Sequence, residues 1–154
     1  ISLNKHKEGA LKDTATNILA SGEFCVHLAD EAIARQMHRC GASVPPEVSE
    51  VELVGFTTTP SLAIAPPRIT EAPVAFECKL WEKIETESRH IFIGQILWLH
   101  ARDDLIDIER HRVHLQNYFP VARFGASFYI NTRDRYALSD DQKEGHGTTP
   151  IDEI

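Results

Sequence analysis

Residues 73–101 read PVAFECKLWEKIETESRHIFIGQILWLHA, and their pattern decides the fold. Val74, Phe76, Cys78 and Leu80 alternate with Ala75, Glu77, Lys79 and Trp81. That period of two places successive side chains on opposite faces of a strand. His90 to Ala101 is rich in Ile, Leu and aromatic residues, which suit a pleated surface. The polar TESR between the two runs is short, so the pair reads as an antiparallel hairpin. Gly94 inside the second run marks a bulge or a close approach of another segment.

Working outward toward the N-terminus, EFCVHL (23–28) alternates in the same way, with Phe24, Val26 and Leu28 on one face, and reads as a strand. KDTATNILASG before it reads as a helix, with Asp13 as N-cap and Ser21-Gly22 as the stop. ADEAIARQMHRC (29–40) carries a helical stripe of Ile33, Met37 and Cys40, ended by Gly41. Gly41 to Pro73 holds six of the eight prolines and reads as a long loop of the kind that frames a site. On the C-terminal side, RDDLIDIERHRVHLQ is charged, with one helical turn. A turn is expected around Pro120 to Gly125 and a strand near Ser127 to Ile130. The expected architecture is mainly β, an antiparallel barrel-like sheet with two or three short helices. Residues 1–138 read as one domain and 139–154 as a polar tail.

A length of 154 residues and a formal charge of −7 fit a single globular domain. The acidic balance argues against a general binder of nucleic acid or anionic membrane but leaves room for a local basic site. No run reaches the ~20 apolar residues of a membrane span, and Ile91 to Ala101 is interrupted by Gln95 and His100. ISLNKHKEG has no apolar signal core. Cys25, Cys40 and Cys78 are odd in number and widely spaced, which reads as reduced thiols in a cytoplasmic protein.

The chemistry concentrates at Lys12-Asp13-Thr14. A helix start presents free backbone N–H groups and a partial positive charge, so it attracts anions. Lys12 adds a full charge, and Thr14 and Asn17 add donors. The set suits a terminal phosphate. The competing interpretation is an ordinary capped helix beside solvated lysines. GxGxxG and GxxxxGK[ST] are both absent, which argues against Rossmann and P-loop nucleotide sites. His111 and His114 lack an obvious third ligand and read as surface histidines, with no metal site expected. Asp103, Asp104, Asp107 and Glu109 read as a solvated edge. No GxSxG elbow is present. The cysteines lie in apolar patterns and read as inert core thiols. Trp81 and Trp98 read as core or interface residues.

Five stretches together resemble the flavin reductase-like family, the FMN-binding split barrels. They are KDTATNILASGEFCVHLADE, GASVPPEVSEVELVGFTTTPS, PPRITEAPVAFECKLWEKI, IFIGQILWLHARDD and FPVARFGASFYINTRDRYAL, in the family's order from Lys12 to Leu138. The resemblance implies a six-stranded antiparallel split barrel, usually a homodimer, with FMN near the dimer interface. It implies that Lys12, Asp13 and Thr14 lie at the FMN phosphate, with Asn17 as a further donor. Ser2, His100, Phe128 and Tyr129 are implied to approach the cofactor, and Arg123 resembles the family's arginine before a small-residue turn, with bracing of that turn as its plain structural role. It also implies first strands ahead of Ile1, so the barrel is expected to be incomplete at the N-terminus. The activity implied is hydride transfer from NADH or NADPH to flavin, with reducing equivalents passed to a monooxygenase or another acceptor. A flavin-binding electron carrier and a non-catalytic dimerisation module are the alternatives. In the reductase reading the protein supplies binding and orientation, while the redox chemistry belongs to the cofactor.

Overall fold

The computed structural model describes residues 1–6, 9–114 and 116–134. The 139–154 tail expected from sequence lies outside these described residues. Strand β1 (Ser2–Asn4) is followed by helix α1 (Asp13–Ser21), strand β2 (Glu23–Leu28) and helices α2 (Ala34–Arg39) and α3 (Glu50–Leu53). Two short strands, β3 (Thr58–Thr59) and β4 (Arg68–Ile69), precede the long pair β5 (Val74–Glu85) and β6 (Arg89–Ala101). A 3-10 turn (Asp103–Leu105) leads into β7 (Ile106–Asp107), β8 (Arg112–Val113), β9 (Ala122–Gly125) and β10 (Phe128–Ile130).

The main sheet has the order β1-β6-β5-β2, antiparallel throughout, and curls into a half-barrel. The hairpin expected at residues 73–101 is its centre. Two register shifts interrupt the β5–β6 ladder, between Glu77 and Cys78 and between Leu80 and Glu82. Each bulge bends the ladder and increases its twist. At the second, Gly94 faces the Phe24 ring so closely that an added Cβ would lie 2.5 Å from Cζ. The lack of a side chain at Gly94 is what lets β2 pack its aromatic residue into the hollow of the sheet. Phe24 joins Ala15, Ile18, Cys78 and Phe92 in the main core. Full burial of one such aromatic is worth about 1.5–3 kcal/mol. A second cluster, Ile33, Val54 and Phe56, ties α2 and α3 to the loop before β3.

Three boundaries differ from the sequence reading. Asp13 is the first helical residue and not the N-cap. That position belongs to Lys12, whose backbone is extended. Helix α2 begins at Ala34, later than the stripe suggested. The Asp30 carboxylate accepts the Ala32 N–H at 3.0 Å, and Asp30 also bridges to Pro120, so the chain makes a side-chain-closed turn first. The late turn sits at Ala126-Ser127, because residues 122–125 are already paired with β10. Gly22 ends α1 as expected: it is left-handed (φ 69°) and its N–H donates to Ile18 O at 2.8 Å. Among the described residues no helix is long and apolar enough to cross a membrane.

Candidate functional site

Helix α1 starts without a cap. No side chain accepts its first N–H groups. Thr16 is the first residue whose N–H reaches a helical carbonyl, Lys12 O at 3.0 Å. Among the described residues the N–H groups of Asp13, Thr14 and Ala15 therefore have no partner. Helix α3 shows the ordinary solution, with Ser49 Oγ accepting the Glu52 N–H at 3.4 Å. An uncapped start keeps both its donors and its partial positive charge available. Asp13 offers no cap, and its charge instead complements the dipole of its own helix.

Thr14 and Asn17 line a cavity of about 690 Å³. Its far walls are apolar, including Phe24, Ile33, Met37 and Phe56. Volume and lining both fall in the range of cofactor pockets. The donors at the mouth fit a phosphate, and the apolar walls fit an aromatic ring system. These residues are therefore compatible with FMN.

Cys25 and His27 also line this cavity, with Sγ and Nε2 3.4 Å apart. Ile69 N–H donates to the same Nε2 at 2.9 Å, which places the ring proton on Nδ1. Burial, and then the Arg68 charge, hold His27 below the ordinary imidazole value. Burial, reinforced by the Glu77 charge, pushes the Cys25 thiol up to about 11. Burial also raises Cys40 and Cys78. These are protonated thiols at neutral pH, as expected from sequence.

The other sequence candidates are scattered. Ser2 pairs with Ile91 at one end of β6. His100 lies nine residues further along the strand, roughly 30 Å away at the usual rise per residue. His100 Nε2 is 2.5 Å from Glu77 Oε1. Glu77 is fully buried, on the β5 face that alternation assigns to Ala75, Glu77, Lys79 and Trp81. Its carboxylate also accepts Leu62 N–H at 2.9 Å and Ala63 N–H at 2.6 Å. Burial by itself raises this carboxyl, but those two N–H groups and His100 outweigh it and hold it below the usual range. Phe128 is exposed on β10, while Tyr129 OH meets His38 Nδ1 at 3.1 Å. Arg123 braces the β9–β10 turn by donating to Ala126 O at 2.5 Å. His111 occupies the turn between β7 and β8 with φ 52°.

The flavin reductase like domain profile matches residues 3–116. This chain belongs to the flavin reductase-like family. The domain superposes on 2-nitrobenzoate 2-nitroreductase of Pseudomonas fluorescens with TM-score 0.80 and 39% identity, over 93% of this chain and 68% of that one. Nitrilotriacetate monooxygenase component B of Bacillus cereus gives TM-score 0.82 and 30% identity, over 90% and 70%. An uncharacterised protein of Aquifex aeolicus is 35% identical over 130 residues, 84% of this chain and 66% of its own length. The flavin reductase-like chain thus spans about two thirds of these relatives.

Proposed function

We propose that this flavin reductase-like domain binds FMN and acts as an NAD(P)H-dependent flavin reductase. The observation that carries this reading is the uncapped start of α1 opening beside an apolar cavity. Lys12, Asp13, Thr14 and Asn17 form the phosphate end. The three unpartnered N–H groups supply hydrogen bonds, and Lys12 supplies charge. The apolar walls orient the ring system and exclude water from it. Bound flavin would supply the redox chemistry, taking a hydride from NAD(P)H and passing reducing equivalents to an acceptor. No side-chain nucleophile is needed for this, consistent with the protonated thiols.

His100, Phe128 and Tyr129 form the proposed ring-side set, with Ser2 as a further contact. A single chain separates Ser2 from His100 along β6, so this set meets one cofactor only when two copies contribute. A homodimer is further supported by the apolar side chains left exposed on β5 and β6. Trp81 is 78% exposed, Ile96 58% and Trp98 49%. Large apolar side chains exposed together on one strand pair are candidates for an interface. The likeness to a monooxygenase component B supports a separate enzyme as acceptor, and three free thiols support a cytoplasmic setting.

Titration with FMN tests the site. Lys12→Ala combined with Thr14→Ala should weaken binding at least tenfold, since charge-assisted hydrogen bonds are worth ~1.5–3 kcal/mol each. Unchanged affinity would refute the phosphate assignment. Bleaching of bound flavin on mixing with NADPH or NADH, followed by stopped flow, tests the reductase step. A flavin that binds but does not bleach points to an electron carrier instead.

A further inference from the structure

A second cavity, of about 500 Å³, lies between α2, α3 and the β9–β10 hairpin. Met37 lines both it and the larger cavity, so the two adjoin across α2. Met37, Leu53 and Val54 make its apolar walls, and His38, Arg39, Arg123 and Tyr129 make its polar side. Its lining contains two guanidinium groups and no carboxylate. In a chain of net charge −7 this is a local reversal of sign. Among the described residues neither guanidinium is paired with an acid. Arg123 commits Nη2 to Ala126 O, which fixes the side chain and leaves its other N–H groups to offer.

The His38–Tyr129 pair adds a donor in either arrangement. If the phenol donates to Nδ1, the imidazole proton sits on Nε2 and remains to be offered. If Nδ1–H donates to the phenol oxygen, the phenolic O–H is the one that remains. The two rings meet edge-on, with centroids 5.6 Å apart and planes at 89°, which holds the pair in place.

We propose that this groove binds an organic anion, with its carboxylate or phosphate on Arg39 and Arg123 and its apolar body against Met37, Leu53 and Val54. Planar guanidinium forks match both anions. Two sources carry that chemistry: the phosphates of a nicotinamide dinucleotide and the carboxylate of an aromatic acid. The site adjoins the proposed flavin site through Met37 and Tyr129 but shares no phosphate-end residue with it, so Arg39 variants and FMN titration report on the two assignments separately.

Calorimetric titration of the purified protein with NADP⁺, benzoate and inorganic phosphate is the test. Binding of NADP⁺ that phosphate competes away would identify a nucleotide ligand. Binding of benzoate that phosphate competes away, with no binding of NADP⁺, would identify an aromatic acid. Arg39→Gln should weaken the bound probe about tenfold or more. Arg123→Lys, which keeps the charge but loses the fork, should weaken it less than Arg123→Gln. The proposal is overturned if neither NADP⁺ nor benzoate binds at millimolar concentration, or if Arg39→Gln and Arg123→Gln both leave binding intact.

Discussion

Backbone N–H groups gather at two places in this molecule, and the fold treats them in opposite ways. At Leu62 and Ala63 they meet the buried carboxylate of Glu77, which also engages His100. At Asp13, Thr14 and Ala15 they meet no acceptor among the described residues. The first set pins the loop before β4 onto β5, and closure is complete. The second lies at the mouth of an apolar cavity. Under the proposed function, the phosphate of the flavin is the partner of these donors. Ser49 shows that the same chain does cap a helix elsewhere.

The largest way to break that contrast is at the closed end. Glu77→Ala strands two N–H groups and an imidazole with no acceptor. It should cost about 3–5 kcal/mol, the range for removing one partner of a buried charged network. Glu77→Gln keeps an acceptor and should cost less. Urea denaturation measures both. A loss no larger than that of an ordinary surface mutation would mean the loop is held by something else.

The same carboxylate sharpens the contrast through pH. Its folded value is depressed, so the stability it contributes is present above the ordinary carboxylate range and is lost as pH falls through the folded value. Acidification should therefore destabilise the native protein through this group. Glu77→Gln should flatten that part of the profile. Identical pH profiles for the two proteins would remove Glu77 from the explanation.

Gly94 tests the packing that positions α1 above the sheet. Gly94→Ala drives a methyl group into the Phe24 ring and should cost about 1–3 kcal/mol by overpacking. Adding Phe24→Leu should recover part of that loss, because the clash is with the ring edge. If the double variant is less stable by the full sum of the two single losses, the close approach is not the cause.

Local pattern was legible where it acted alone. The bounds of β2 and the stop at Gly22 follow from alternation and from glycine's left-handed freedom. The hairpin at residues 73–101 follows from two strong β runs around a polar turn. Glu77 was not legible. Alternation puts it on the face opposite Phe76 and Cys78, and it is buried there because the loop carrying Leu62 and Ala63 folds over that face. Cover supplied by a distant loop leaves no trace in the strand's own pattern. Arg39, His38 and Tyr129 form a groove only because β10 returns to α2, 91 residues apart at the His38–Tyr129 contact. The late start of α2 was hidden for a similar reason, since Asp30 is held in its turn by a bridge to the distant Pro120. At α1 the helix start was legible, but the N-cap is Lys12, one residue before the Asp13 that the pattern assigns to it. That displacement leaves the helix start open.

The smallest expected effect is also the most discriminating, because stability and binding should move in opposite directions. Lys12→Ser places a hydroxyl at the N-cap of α1, where it can accept the Thr14 or Ala15 N–H. It also removes a positive charge from the positive end of the helix dipole. Together these changes should raise stability by about 1 kcal/mol in thermal or urea unfolding. The same substitution closes donors that the phosphate would use and deletes its counter-charge, so FMN affinity should fall about tenfold. A variant that gains stability and keeps its affinity would show that the open helix end is a tolerated imperfection of the fold. One that loses affinity while gaining stability would show that the missing cap is retained for the ligand.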